Sequence, residues 1–573
     1  MKSCFKTSIL LLLALSTVLT AQAFAGWKPE VILGPGIDNP MIPYHQAVDR
    51  TLAADTLYVL TGLYIVDSTF ALTIEPGTVV LADTGACLLV DRGAQIHATG
   101  TSERPIVFCS DHNPGERAKG DWAGVIILGS APTNKVEPLI EGLLEPHHYG
   151  GTNPDNDSGE FCYVRIEFPG YRITEGNEVN GFTMGGVGRG TVVHHVQTSY
   201  ANDDGMEWFG GTVDGNYLVS FCDLDDNFDT DFGHVGRHQF CFALRTIEMS
   251  DLAGQSNGYE SDNDGTGTTA VPFTAPIFCN TTLIGPARVD ALLPQFGLVP
   301  NKFEYEVVNR RATKHKTFNS CLMGWPWGVS IRDATCKAYA QAGDLKIRYT
   351  SVQAHLKPGV STSVHDEARW NLVTQWFDTP AFLNVGSAPR NPSAMMLADM
   401  NDITNPDPRP LPGSELNGTA VWDAVADPEL AGDPFFQQVT YRGAFDPYLP
   451  MSQQWTAGWT NWDPQWTNYR EDAVGVGSEV AGVAVSQNHP NPFNPVTTIS
   501  YSVREAGPVA IRVHDAAGRV VRTLLDTELG AGTTGSVVWD GTGDNGERCA
   551  SGVYFYSVDT VGGTDTSKMV MLK

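Results

Sequence analysis

The chain has 573 residues, with 37 basic against 65 acidic side chains and a formal net charge of −28. Nucleic acid and anionic membranes both require a basic face, so neither is an expected partner. Its 59 Gly and 35 Pro, plentiful Val, Ile, Thr, Phe and Tyr, and scarce long amphipathic patterns predict a mostly β protein.

At the start, Lys2 and Lys6 precede an apolar run from Ile9 to Leu15 that continues to Leu19, and Ala23-Phe24-Ala25 supplies the small residues of a cleavage site. The run is too short and wrongly flanked to span a membrane. Residues 1–25 therefore read as a cleaved secretory signal, with the mature chain starting at Gly26 and passing through the periplasm. Cys4 lies too early for a lipoprotein anchor, and no later segment is apolar for long enough to cross a bilayer.

Next comes a weak repeat. Leu72-Thr73-Ile74-Glu75-Pro76-Gly77-Thr78-Val79-Val80 matches Leu88-Leu89-Val90-Asp91-Arg92-Gly93-Ala94-Gln95-Ile96: three strand residues, an acid, a Gly turn and another strand. Short strands follow at Ile106–Phe108, Val125–Leu128, Val192–Val196 and Tyr217–Val219, separated by Gly, Asn and Asp clusters. Such a chain buries its apolar residues by stacking coils, so residues 26–355 are expected to form a right-handed parallel β-helix. Cys87 and Cys109, and Cys222 and Cys241, are spaced near one coil. They read as small apolar residues stacked inside it, with disulfides as the alternative. The motifs Leu72–Val79, Asn202–Thr212, Tyr441–Phe445 and Trp455–Trp459 resemble those of a family of large exported bacterial proteins of this fold, which implies the fold and no activity.

Residues 356–475 change character. Val364–Phe377 reads as a short helix, Asn405–Pro412 as a Pro-rich loop, and the whole as a capping segment over the open end of the solenoid. Trp455, Trp459, Trp462 and Trp466 read as an apolar lid, and Trp325 and Trp327 likewise; the alternative is a stacking platform for sugars. Gly185–Gly190 reads as a tight coil turn. A linker spans 476–486.

Residues 487–573 alternate like strands with one buried face at Thr497–Val503, Val509–Asp515 and Val553–Val558, which predicts an independent β-sandwich. The ordered motifs Gln487–Pro495, Val509–Asp515, Ala517-Gly518-Arg519, Trp539-Asp540-Gly541, Ser551–Tyr556 and Lys568–Lys573 resemble the C-terminal sorting domain of type IX secretion cargo in Gram-negative bacteria. They are also similar to the immunoglobulin-like domain of flagellar hook-capping proteins. This resemblance implies that Gly518, Arg519, Gly552, Tyr554, Lys568 and Lys573 belong to the sorting signal. It implies the type IX machinery as partner, and the outer cell surface or the medium as destination.

The densest acid cluster runs from Asp223 to Asp231, and Asp203-Asp204 precede Asp225-Asp226 by 22 residues, near one coil. Stacking would gather Asp203, Asp204, Asp225, Asp226, Asp229 and Asp231. Like charges so placed repel unless protons or a cation neutralise them, and calcium is the natural cation for hard oxygen ligands outside the cell. An EF-hand is excluded by Phe228 at the turn position and His234 at the closing one. Glu260–Gly265 and Asp155–Gly159 read as solvated Asx turns. Two functions follow: a non-enzymatic binding or structural protein of the surface, calcium-stabilised, whose ligand is an extracellular polysaccharide or cell surface; or a pectinase-like hydrolase or lyase using the same aspartates with Gly233-His234-Val235-Gly236, Arg237 and His238.

Overall fold

Tetrads such as Leu57–Leu60, Leu63–Val66 and Cys87–Val90 are buried on both faces, which antiparallel hairpins with one wet face do not require. They are strands of a parallel sheet wound into a prism. In this computed structural model, which describes residues 28–572 apart from short stretches, the longest being 362–372 and 473–482, three ladders stack coil upon coil. The first begins with Glu30–Leu33, Leu57–Leu60 and Val79–Ala82. The second begins with Pro43–Gln46, Leu63–Val66 and Cys87–Val90. The third begins with Arg50–Leu52, Ala71–Ile74 and Gln95–Thr99. All their pairings are parallel, and the last coil ends with Ser351–Ser361. The body is an all-β parallel helix. The expected signal segment 1–25 lies outside the described residues.

The matched repeat segments, although similar, do not lie on top of one another. Leu72 stacks on Ile96, whereas Leu88 stacks on Tyr64. The 16-residue repeat is therefore a strand, a Gly turn and a strand, used at successive corners, and the coil itself is longer. The same reasoning corrects the cysteines. Cys87 stacks on Leu63 in the second ladder and Cys109 on Leu81 in the first. Their spacing is one coil, but of different sides. Cys87, Cys109, Cys222 and Cys241 are free and buried.

Long strands Gly159–Glu167, Val192–Ser199 and Gly215–Phe221 serve two ladders each. They bend at Tyr163, His195 and Tyr217, whose φ values of 52°, 54° and 59° are left-handed. The bend turns these rings outward into one stack: Tyr163 on His195 at 4.2 Å, His195 on Tyr217 at 4.4 Å, Tyr217 on Phe240 at 5.3 Å. Ring stacking offsets the cost of non-Gly residues in this conformation.

The segment expected to cap the solenoid does so only in small part. Val373 and Phe377, in helical residues 373–377, join the main core, and Trp376 Nε1 donates to Ala340 O at 3.0 Å; the preceding part of that expected helix lies outside the described residues. From about residue 380 the chain instead runs back along the outside of the first and third ladders. It touches Ile347 through Asn384, Thr282 through Ala444, Gln197 through Asn461, Glu167 through Tyr469, and Glu30 through Arg470. Val219, Phe221, Phe242, Leu244 and Met323 point outward and would be wet without this strap; Met395, Leu416, Phe445, Trp455, Trp459 and Trp462 cover them. Trp459 is fully buried while Trp466 is 47% exposed. The physical reason for the correction is that the larger exposed apolar surface is the flank of the prism, not its end.

Residues 1–473 and 474–573 form two compact units. In the second, antiparallel Gly507–Asp515, Val520–Leu529, Gly552–Thr560 and Gly563–Met571 make one sheet, and Val483–Val485, Thr497–Val503 and Thr534–Trp539 the other. Ile499, Ile511, Val513, Trp539, Tyr556 and Met569 fill the space between them. Gly518 sits at φ 77° in the turn closed by the Asp515–Arg519 ion pair. Tyr554 is buried, and its hydroxyl donates to Ala550 O at 2.8 Å. Gly552 opens its strand, Lys568 lies within the last strand, and Lys573 is outside the described residues.

Candidate metal centre

The second ladder carries the acids. Its inward row, Phe182, Met184, Met206, Trp208, Phe228 and Tyr259, belongs to the core. Alternation then sends Thr183, Glu207, Asp229 and Glu260 outward as one register row, coil to coil. The corner before the ladder brings in the remaining acids. Asp225 N donates to Asp203 O at 3.3 Å and Asp226 N to Asp204 Oδ1 at 2.8 Å, so the two Asp-Asp pairs stack as their spacing predicts. Gly205 lets that corner close, since a Cβ there would lie 2.4 Å from Asp223 Oδ2.

Behind the corner is a satisfied polar frame. Asp223, fully buried, accepts from Thr198 at 2.8 Å, Ser220 at 2.7 Å and the Ala201 amide at 2.8 Å. Arg245, also fully buried, donates to Asn227 at 3.0 Å and to the Asp225 carbonyl. In front of it two carboxylate groups converge. One oxygen from each of Asp203, Asp204 and Asp225 lies within 4.8 Å of the others, and the same holds for Asp204, Glu207 and Asp229. Asp204 is 7% and Glu207 6% exposed. Burial, followed by the charges of their neighbours, pushes the carboxyls of Asp204, Glu207, Asp225 and Asp229 well above their ordinary range. Asp231 and Glu260 rise to about 8 for the same reasons.

Of the six aspartates expected to gather, Asp203, Asp204, Asp225 and Asp229 enter these groups. Asp226 turns to the Asn257 amide at 2.6 Å, and Asp231 to the Phe232 amide at 2.6 Å. Glu207 was missed because it sits inside a motif that signalled fold rather than an acid run. Its own register, one strand position from Asp204's corner, is the signal that could have found it. The groups of the enzymatic reading are not brought together. His234 and His238 are buried in the core, Nε2 to Nε2 at 3.0 Å, and Arg237 is spent on Asp214 and on Asp433 at 2.8 Å. Glu260 and Asp262 pair with Arg310, while Asp264 caps its own turn through Thr266 and Thr268. Gly186, at φ 57°, is a coil turn against Gly129 and Gly150.

With this geometry in view, the chain belongs to the pectate-lyase-like β-helix family, whose domain model matches residues 44–389. The FlgD Ig-like domain matches residues 496–563. Among solved structures, dimeric latent PorU from Porphyromonas gingivalis is similar at 23% identity over 17% of this chain and 10% of its own, with a TM-score of 0.14. PorZ, an essential surface component of the type IX secretion system of the same organism, matches at 30% identity over 17% of this chain and 13% of its own, TM-score 0.12. The enzymatically active domain of bacteriophage CBA120 tailspike protein 2 matches at 10% identity over 90% of this chain and 72% of its own, TM-score 0.20. None of the curated proteins matches this chain.

Proposed function

We propose that this chain is a non-enzymatic binding or structural protein of the cell surface or medium, delivered by type IX secretion and stabilised by calcium. The observation that carries the reading is the terminal unit. It is an antiparallel sandwich with Gly518 in a turn, Gly552 at a strand start and Tyr554 buried, and it is the part of the chain that carries the sorting motifs, which supports the reading. Extracellular polysaccharide or another cell surface is the partner class such a shaft would meet. Deleting residues 487–573 is the test. Retention of the body in the periplasm is expected, and normal surface delivery of the truncated chain overturns the reading.

The polysaccharide-cleaving alternative draws on the family match and on the basic residues beside the acids. Arg310 is the guanidinium set next to them, but it donates to both Asp262 oxygens at 2.8 and 3.0 Å and to Glu260. A guanidinium so engaged serves as a counter-charge rather than as a base. Polygalacturonate incubated with the protein and calcium is expected to stay intact; release of unsaturated or reducing ends would favour the enzyme.

A further inference from the structure

The acids of the second ladder have an arrangement more specific than a general negative patch, and it deepens the calcium reading on which it rests. Two groups of three carboxylates share one member, Asp204. Within each group one oxygen per residue lies within 4.8 Å of the other two, so the three can reach a single cation of the calcium class, whose oxygen ligands stand at roughly 2.3–2.6 Å. A second observation comes from a neutral residue. Thr183 is 2% exposed, and its hydroxyl is buried with no hydrogen-bond partner. It is the register neighbour of Glu207, on the same outward face, which sets it beside the group formed by Asp204, Glu207 and Asp229. One oxygen each of Asp225 and Asp229 is likewise buried and unpartnered.

Charge favours bound cations here, and the geometry of the two groups sets their number. Asp203, Asp204, Glu207, Asp225 and Asp229 carry a formal charge of five. Like charges held this close repel strongly even at the effective dielectric of a protein. Arg245, which donates to Asn227 and the Asp225 carbonyl, and Arg310, which pairs with Glu260 and Asp262, stand close enough to offset part of this charge. Two groups of three that share Asp204 offer two places for an ion.

We propose that this face holds a pair of divalent cations, of the calcium class, bridged by Asp204. The outer ion is held by Asp203, Asp204 and Asp225. The inner ion is held by Asp204, Glu207 and Asp229 with the Thr183 hydroxyl. Water completes both shells. The pair ties three successive coils together, because Thr183, Glu207 and Asp229 come from adjacent strands.

The test is calcium stoichiometry by equilibrium dialysis on the full chain after treatment with chelator, with circular dichroism to confirm the fold. Two ions per wild-type chain are expected. Glu207→Gln combined with Thr183→Val should leave one, Asp203→Asn combined with Asp225→Asn should leave one, and Asp204→Asn should lower the affinity of both at least tenfold. Asp226→Asn, outside both groups, should keep two. A single ion in the wild type overturns the pair and leaves the calcium reading standing. No bound ion overturns both. Two ions that survive the Glu207→Gln, Thr183→Val change also overturn the assignment.

Discussion

Thr183 and Glu207 are register partners on adjacent coils and face the same way, yet only Glu207 has a hydrogen-bond partner, the Asn180 amide. A buried hydroxyl left unpaired costs about 1–3 kcal/mol. Replacing it with a methyl of similar shape should therefore stabilise the metal-free protein. Thr183→Val is expected to raise the melting temperature in chelator and to shrink the rise produced by calcium. The opposite signs in the two conditions separate a ligand oxygen from a mere packing position. A variant that shifts both melts equally would assign Thr183 to packing alone.

Calcium at millimolar concentration should raise the melting temperature of the wild type, since the unfolded chain offers no assembled cage. Asp204→Asn should remove most of that rise, because Asp204 belongs to both carboxylate groups. At 100 times the dissociation constant one site stabilises by about 2.7 kcal/mol, so the effect is well within reach of differential scanning calorimetry. Superimposable melts in calcium and in chelator would count against the cage.

The strap is pinned to the third ladder by a fully buried carboxylate. Asp427 accepts from Lys346 at 2.8 Å, Arg348 at 2.7 Å and the Tyr349 hydroxyl at 2.7 Å. Removing one side of such a buried cluster leaves the remaining charges uncompensated, at a cost of about 3–5 kcal/mol. Asp427→Ala is expected to lower stability by that order and to open residues 380–472 to limited proteolysis before the coils unfold. Coincident loss of strap and coils would show that the two are a single cooperative unit.

What was legible follows from the range of the interactions. The stacking of Asp203-Asp204 on Asp225-Asp226 was readable because that coil holds no insertion, so the spacing in sequence equals the spacing in space. Thr183 was not readable. It is neutral, and its coil follows the insertion between Leu128 and Gly159, which breaks the count. The strap was misplaced for a related reason. Its contacts join residues such as Arg470 and Glu30, 440 positions apart, and its irregular backbone carries no period to reveal which face it covers. The terminal sandwich was legible because its strands pair with near neighbours and alternate cleanly.

Glu306 offers a test of cost without benefit. It is fully buried, neither carboxyl oxygen has a partner, and burial pushes its pKa well above the usual range against the weak opposing charge of Arg390. A folded-state pKa above the unfolded one means stability is full at acid pH and is lost as pH rises through the folded value. Glu306→Met, similar in volume and apolar, should stabilise the protein by about 1–3 kcal/mol and flatten the alkaline limb of its stability curve. A destabilised variant would indicate that the carboxyl has a role in the core.

The acid stripe predicts an unusual pH profile in chelator. Asp231 and Glu260 are raised to about 8, and Asp204, Glu207, Asp225 and Asp229 are raised as well, burial being the first cause in each case. In the unfolded chain these groups titrate near 4. Between about pH 4 and 8 the native state thus binds more protons than the unfolded state, and stability falls as pH rises through that window. A tenfold difference in proton affinity between the folded and unfolded chains is worth about 1.4 kcal/mol, so even a heavily screened set of groups should move the melt by several degrees. The metal-free protein should accordingly melt highest near pH 4–5 and lowest near pH 8, the reverse of a chain whose carboxylates sit in ordinary salt bridges. Calcium competes with the protons for the same oxygens, and should raise stability most at pH 8 and least at pH 5. Melting curves at several pH values, with calcium and with chelator, decide the matter. A calcium effect that is constant across this window would show that the ion binds away from these carboxylates.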